Sequence, residues 1–194
     1  MKIPAMLGRL ALTILLLASA PWHAAANPAD FTVSSPATGQ KFTLSAAKGK
    51  YVALHFLLKT ECPICLKHTR DYASQAATVP GVVQVFLKPD SVEDIKKWES
   101  HVPLADYPGL IVYQDADAKL ATEYGIPDGY KFHGQVVHYP AFVLIAPDGR
   151  EVFRYIGKSN MDRFTFPQFK AKIKDLQTAK PATHMGDKPT TATR

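Results

Sequence analysis

Cysteine is the scarcest chemically reactive residue in this chain, with two among 194 residues, at positions 62 and 65. A secreted scaffold stapled by disulfides uses several cysteines joined across long loops, so that class is excluded. A pair only three positions apart closes too short a loop to remove much unfolded-state entropy, and stability is a poor reason for its presence. Structural zinc normally takes four ligands, and a second cysteine pair is missing. Blocks of like charge are missing too. The formal charge of +6 is spread over scattered Lys and Arg, unlike a run that tracks a phosphate backbone, so nucleic acid is not an expected partner. No long apolar run follows residue 26, and the remainder reads as not membrane-spanning.

What is present begins at the N-terminus. Lys2 and Arg9 precede the apolar run Leu10 to Ala20, and Ala24 and Ala26 supply small residues at the third-last and last positions before a cleavage site. This pattern predicts a secretory signal peptide over residues 1–26, too short in its apolar part for a comfortable membrane span. Its removal takes Lys2 and Arg9 with it and lowers the charge to +4. The expected product is a periplasmic or secreted domain over residues 27–178. Residues 179–194, mostly Thr, Pro and Lys with little to bury, read as a disordered tail.

The domain alternates strand and helix patterns. Phe31 to Val33 and Lys41 to Leu44, separated by Ser, Pro and Gly, predict a lead-in hairpin. Tyr51 to Leu58 is a continuous apolar run of strand length, the type found in sheets covered on both faces. A helix is expected from an N-cap at Cys62 to about Ala77, because Pro63 suits a first helical position. Val82 to Leu87 predicts a second buried strand. Ser91 with Asp94 resembles a capping box that opens a helix to about His101. Leu110 to Tyr113 predicts a third strand, and a short helix should run from about Ala116 to Tyr124. Residues 126–139 read as loop, with Pro127, Gly129 and Gly134 as breakers. Ala141 to Ala146 and Glu151 to Ile156 form a hairpin around Pro147-Asp148-Gly149. The last helix, Phe164 to Gln177, places Phe166, Phe169, Ile173 and Leu176 on one face. The fold class is therefore α/β, with a parallel βαβ part and a terminal antiparallel hairpin.

Cys62-Pro63-Ile64-Cys65 follows a buried strand and opens a helix, and that context gives the pair its meaning. Residues three apart share a helix face, which brings the sulfurs within bonding reach as a redox-active disulfide. Cys62 faces unpaired N–H groups and the positive end of the helix dipole, both of which favour thiolate. Cys65 lies a turn deeper. The residues thus assign attack on a partner disulfide to Cys62 and resolution of the mixed disulfide to Cys65. Glu61, a candidate for proton transfer to the leaving sulfur, opposes the Cys62 thiolate, whereas Lys59 favours it. His55 reads as a hydrogen-bonded core residue and His68 as an exposed helix residue.

These residues resemble the thioredoxin-like superfamily, in particular its exported branch and the related redoxin or alkyl-hydroperoxide-reductase-like domains. The resemblance covers about Asp30 to Leu176. It rests on the Phe31–Leu44 lead-in, Gly49-Lys50 before the first core strand, the Cys62–Cys65 box, and Tyr139-Pro140-Ala141-Phe142-Val143-Leu144-Ile145 followed by Asp148-Gly149. It implies a thioredoxin fold: a central mixed sheet flanked by helices, extended by the N-terminal hairpin. It implies a cis Pro140 against the redox pair, and a Tyr139 backbone that contacts the partner. Tyr139 and Pro63 are then the expected substrate-binding residues, and Cys62, Cys65 and Pro140 the catalytic set. The activity implied is thiol–disulfide exchange with protein thiols and disulfides, supplied by a membrane thiol-electron donor, with no bound cofactor.

Two alternatives stay open. Peroxiredoxins place a Pro and a Thr ahead of the reactive cysteine and an Arg across the site. Here Thr60 stands two before Cys62, no Pro lies between Tyr51 and Cys62, and Arg150 and Arg154 fall in the later hairpin, so no arginine is identified beside the pair. Cys62, Cys65 and His68 also have ligand-like spacing, with His133 or His138 as a further donor, which suits copper or zinc.

Overall fold

The computed structural model describes residues 28–59, 62–102, 106–107, 109–132 and 135–178. The expected signal peptide and tail, together with Thr60, Glu61 and His133, lie outside the described residues. At the centre is a five-stranded sheet made of β3 (Tyr51–Phe56), β4 (Val82–Lys88), β5 (Val112–Gln114), β8 (Ala141–Ile145) and β9 (Glu151–Ile156). Across the sheet they lie in the order β5-β4-β3-β8-β9. β3, β4 and β5 are parallel, whereas β8 runs antiparallel to both β3 and β9. This is the expected thioredoxin-type mixed sheet. The lead-in, β1 (Thr32–Ser34) and β2 (Lys41–Thr43), forms a separate antiparallel pair.

The alternation of β3 explains how the sheet is covered. Val52, Leu54 and Phe56 belong to one apolar cluster, with Phe42 and Leu120; Ala53 and Leu57 belong to the other. The second cluster includes residues of α1 (Pro63–Ala73), α2 (Val92–Glu99) and α4 (Phe166–Thr178), among them Tyr72, Ile95, Trp98, Phe169 and Ile173. Both faces of β3 are buried, as its unbroken apolar run requires. The α2 cap forms as expected: Ser91 Oγ accepts the Asp94 N–H at 3.1 Å and donates to Asp94 Oδ2 at 2.9 Å.

Three local expectations are corrected. Residues 126–139 are not simply loop, because β6 (Asp128–Phe132) pairs antiparallel with β7 (Gln135–His138). Gly129, read as a breaker, sits at a register shift in that pair with φ 133°, a bulge position that favours glycine. The short helix after Asp115 is not continuous. A 3-10 turn over Ala116–Ala118 precedes α3 (Lys119–Glu123), with Asp117 and Ala118 at φ 54° and 55°. The Asp115 carboxylate drives this break by accepting the N–H groups of Leu120 and Ala121 at 2.7 and 3.0 Å, which caps α3 across the turn. Finally, no cis peptide bond occurs among the described residues, so Pro140 is trans. It leads into β8 as an ordinary strand-initiating proline, with its carbonyl accepting the Gly157 N–H at 2.8 Å.

Candidate active site

Cys62 is the N-cap of α1 and Pro63 its first residue, so the start of this helix is legible from the sequence. Cys62 Sγ accepts the Cys65 N–H at 3.1 Å, which uses one of the helix's orphan donors. Cys65 Sγ accepts the Leu58 N–H at 3.3 Å. Both cysteines are free and buried, Cys62 keeping 6% of its surface exposed and Cys65 none. The deeper position of Cys65 is as expected.

Arg163 is the main feature that sequence reasoning missed. Its Nη2 donates to Cys65 Sγ at 3.4 Å and to Cys62 Sγ at 3.6 Å, so one guanidinium faces both sulfurs. The expectation that no arginine stands beside the pair is therefore corrected. Arg163 lies about a hundred positions downstream, and nothing in its neighbours marks it. Its place is set by the turn after β9. There Asp162 accepts the Tyr155 hydroxyl and the Lys158 N–H, while the Asp162 carbonyl accepts Arg163 Nη1 at 3.1 Å. Gly157 permits the close approach. A Cβ there would lie 2.4 Å from the Asp162 carbonyl oxygen and 2.8 Å from Pro140 Cγ. Pro140 thus helps seat the arginine-bearing turn and lines a small cavity with Arg163 and His68.

The charges define the pair's protonation. Contrary to the expected Cys62 thiolate, the Cys62 thiol is pushed well up, first by the hydrogen bond it shares with Cys65 and then by burial, both of which outweigh the helix-terminal N–H. At Cys65 burial is the largest influence and opposes ionisation. It is outweighed by the hydrogen bond from Cys62, the charges of Arg163 and Lys88, and the Arg163 hydrogen bond, which bring that thiol down to about 6. The reduced pair near neutral pH is accordingly one thiol and one thiolate that share a proton, and it titrates as a unit.

Lys88 is fully buried at the end of β4, a place where an apolar strand would be expected to surface. Its Nζ donates to the Leu58 carbonyl at 2.8 Å, pairs with Asp90 at 3.1 Å and lies 4.9 Å from the Trp98 ring centre. By holding residue 58 it steadies the N–H aimed at Cys65.

His55 is the hydrogen-bonded core histidine expected, but His68 is a correction: it is only 8% exposed. Cys65, His68, Thr69 and Tyr72 form the buried stripe of α1, at helical spacing. His68 Nε2 meets His55 Nδ1 at 2.9 Å, and His55 Nε2 meets Gln84 Oε1 at 2.8 Å. Burial holds the His55 imidazole down to about 4, against the Gln84 hydrogen bond, and holds His68 well below its usual range. His68 therefore faces another imidazole, and among the described residues no group of three or more His, Cys, Asp or Glu is arranged to hold a metal ion.

The remaining expected residues are placed as follows. Pro63 is exposed beside Cys62. Tyr139 is half-buried, its N–H donates to the Pro127 carbonyl at 2.9 Å and its carbonyl accepts His138 Nδ1–H at 2.7 Å, so both backbone groups are engaged within the chain.

The fold and the paired cysteines define a thioredoxin-fold redox protein. More specifically, the AhpC/TSA family model matches residues 25–152, more than half of the chain, and the protein belongs to that family. No curated protein matches the sequence significantly. Among solved structures, the chain is similar to the pneumococcal exposed lipoprotein thioredoxin Etrx1 of Streptococcus pneumoniae. The two share 25% identity at a TM-score of 0.59, over 76% of this chain and 99% of the other. It shares the fold of DsbF from MTB, solved in mixed oxidized and reduced forms, at 20% identity and TM-score 0.57 over 75% and 94% of the two chains. It also shares the fold of the bacterioferritin comigratory protein of Xanthomonas campestris, whose alkyl peroxide reduction activity that structure addresses. That match has 17% identity and TM-score 0.61 over 78% and 92%. The protein is thus an oxidoreductase of the redoxin type.

Proposed function

We propose that this protein is an exported thiol–disulfide oxidoreductase that exchanges electrons with protein dithiols through Cys62 and Cys65. The observation that carries this reading is the sulfur pair at the start of α1, one sulfur above the other, with Arg163 against both. In the reducing direction the proton on Cys62 passes to the Cys65 sulfur across their shared hydrogen bond. The Cys62 thiolate attacks one sulfur of the partner disulfide, a new S–S bond forms, and the other partner sulfur leaves as thiolate. Cys65 gives up its proton to that leaving thiolate and attacks Cys62. The second partner sulfur departs, the partner has gained two electrons, and Cys62 and Cys65 are left as a disulfide. Cys62 takes the attacking role because it alone of the two has exposed surface.

Cys65→Ser should accumulate mixed disulfides with protein partners, and Cys62→Ser should accumulate none. Equal trapping by both variants, or faster alkylation of Cys65 than of Cys62, overturns the assignment. Export is supported by the basic–apolar–small pattern of residues 2–26 and predicts a purified N-terminus near Asn27; an intact Met1 on the exported protein contradicts it. The electron source on this reading is a membrane thiol donor. No helix among the described residues is long and apolar enough to cross a membrane.

A second reading, thiol-dependent peroxide reduction, is favoured by one specific observation. Arg163 supplies the donor beside Cys62 that this chemistry needs for developing negative charge on oxygen. Mixing reduced protein with hydrogen peroxide and with an organic peroxide separates the two. Sulfenic acid that forms at Cys62 orders of magnitude faster than at a free thiol of matched pKa promotes the second reading above the first.

A further inference from the structure

Leu57, His68, Pro140, Tyr155, Asp162 and Arg163 wall a cavity next to the cysteine pair, with a free volume of about 10 Å³. That is on the order of the space one water molecule needs. Nearly every polar side-chain atom on its wall is engaged. The Tyr155 hydroxyl donates to Asp162 Oδ1, and Asp162 Oδ2 accepts the Lys158 N–H. Arg163 Nη1 donates to the Asp162 carbonyl and Nη2 to the sulfurs. Two atoms remain. Arg163 Nε is sealed without a hydrogen-bond partner, and His68 Nδ1, engaged by no hydrogen bond among the described residues, keeps some contact with solvent.

The proton positions on the imidazoles follow from the chain of acceptors. Gln84 Oε1 accepts, so the neutral His55 carries its proton on Nε2 and offers Nδ1 as an acceptor. His68 Nε2 must then donate to it, which leaves His68 Nδ1 as a lone pair. Arg163, with a sealed donor, and His68, with an unengaged acceptor, thus line one water-sized cavity, and a water there can accept from the first while donating to the second.

We propose that a single ordered water joins Arg163 Nε to His68 Nδ1 and makes His68 the residue that positions the Arg163 guanidinium over the two sulfurs. The guanidinium is then held at three places: by the Asp162 carbonyl, by the thiolate and by the water. The chain from Gln84 through His55 and His68 ties its aim to the sheet interior. This rests on the reading of Cys62 and Cys65 as the reacting pair, but it concerns their ionisation rather than their partner.

The test compares His68→Asn with His68→Gln in the reduced protein, following thiolate ultraviolet absorbance against pH. Asn places an amide oxygen near the Nδ1 position and gives up the bond to His55; Gln reaches the Nε2 position and gives up the water. His68→Asn should keep the thiolate fraction at fixed pH within about threefold of wild type, and His68→Gln should lower it about tenfold. The opposite order, or equal loss in both, makes His68 a packing residue and overturns the proposal. If neither variant folds, a high-resolution crystal structure of the unaltered protein decides. Ordered water within hydrogen-bonding distance of both atoms supports the proposal, and a dry or side-chain-filled cavity overturns it. Because the titration needs no turnover, failure of disulfide exchange leaves this outcome readable, and the reverse also holds.

Discussion

The two faces of the central sheet are built on opposite rules. On the face with the lead-in hairpin and α3, the central-sheet residues in the core are Val52, Leu54, Phe56, Val85, Leu87, Tyr113, Ala141, Val143 and Ile145, all aliphatic or aromatic. On the face that carries α1, the same strands place His55, Gln84 and Lys88 among Ala53, Phe86 and Phe142, and α1 adds Cys62, Cys65 and His68. The first face follows the usual logic of apolar burial. The second takes up buried polar groups whose hydrogen bonds must be met one by one, and some are not: the Gln84 Nε2 and Arg163 Nε atoms are sealed without partners. Sequestering ionisable groups beside a dithiol lets fixed charges act in a poorly screened interior, where they shift sulfur ionisation most. One face holds the fold and the other sets the chemistry.

Substitutions on the two faces should therefore separate ionisation from stability. The largest effect on chemistry is expected from Arg163→Leu, which removes the cation that faces both sulfurs. A close opposite charge is worth about 1–3 pKa units, so the thiolate titration should move upward by about that much, with a modest change in unfolding midpoint. An unmoved titration would mean that the helix terminus and Lys88 suffice. On the opposite face, Leu54→Ala should cost about 2–5 kcal/mol by leaving a cavity, while the thiolate titration stays in place. Denaturant unfolding read alongside sulfur absorbance checks both, and a Leu54→Ala protein with a shifted titration would show that the faces are not independent.

Proton counting sharpens the same contrast. With the first thiol at about 6 and the second pushed well up, the reduced pair binds two protons below about pH 6 and one above it. The reduction potential should then fall by about 59 mV per pH unit below that point and about 30 mV above it, as a two-electron couple requires. A single slope across pH 6, with no break there, overturns the assignment of a shared thiolate. The buried imidazoles add a stability term of definite sign. The unfolded His55 binds a proton at about its ordinary 6.5, whereas the folded one resists until about 4. The unfolded state is thus favoured as pH falls from 6.5 to 4, and the urea midpoint should decline through that window. A flat midpoint there would place His55 in contact with solvent.

The smallest effect is expected at the α3 cap. Asp115→Ala leaves the Leu120 and Ala121 N–H groups without their acceptor and should cost about 0.5–2 kcal/mol, with no change in sulfur titration. A redox change in that variant would connect the scaffold face to the site by a route these contacts do not provide.

Local physics made much of this molecule legible from its residues. The unbroken apolar run of β3 required a sheet covered on both faces. Pro63 after Cys62 dictated where α1 begins, and spacing by three dictated that the two sulfurs meet. The strand around 141–145 and its hairpin to Glu151–Ile156 followed from composition and from Pro147-Asp148-Gly149. The departures share a cause. His68 is polar by type, and only the presence of His55 opposite makes its burial tolerable. Gly129 looks like a breaker until a partner strand turns it into a bulge. Asp117 and Ala118 would extend a helix were it not for the Asp115 carboxylate capping the turn beyond them.

Arg163 shows the limit most clearly. Cys62 and Cys65 are joined by helix geometry over three residues, and interactions at that range are encoded in spacing alone. Arg163 reaches them only because Gly157 lets a later turn close on Pro140 and Asp162 fixes its direction. No periodicity in the chain connects positions about a hundred residues apart; that contact exists only once the sheet has brought β8 and β9 alongside β3. The fold class, the cysteine pair and the helix that carries it could be read from the residues alone, because each depends on neighbours a few residues away. The cation over the sulfurs, the buried lysine and the imidazole chain were decided by tertiary structure, because each is a long-range partner that compensates a buried polar group.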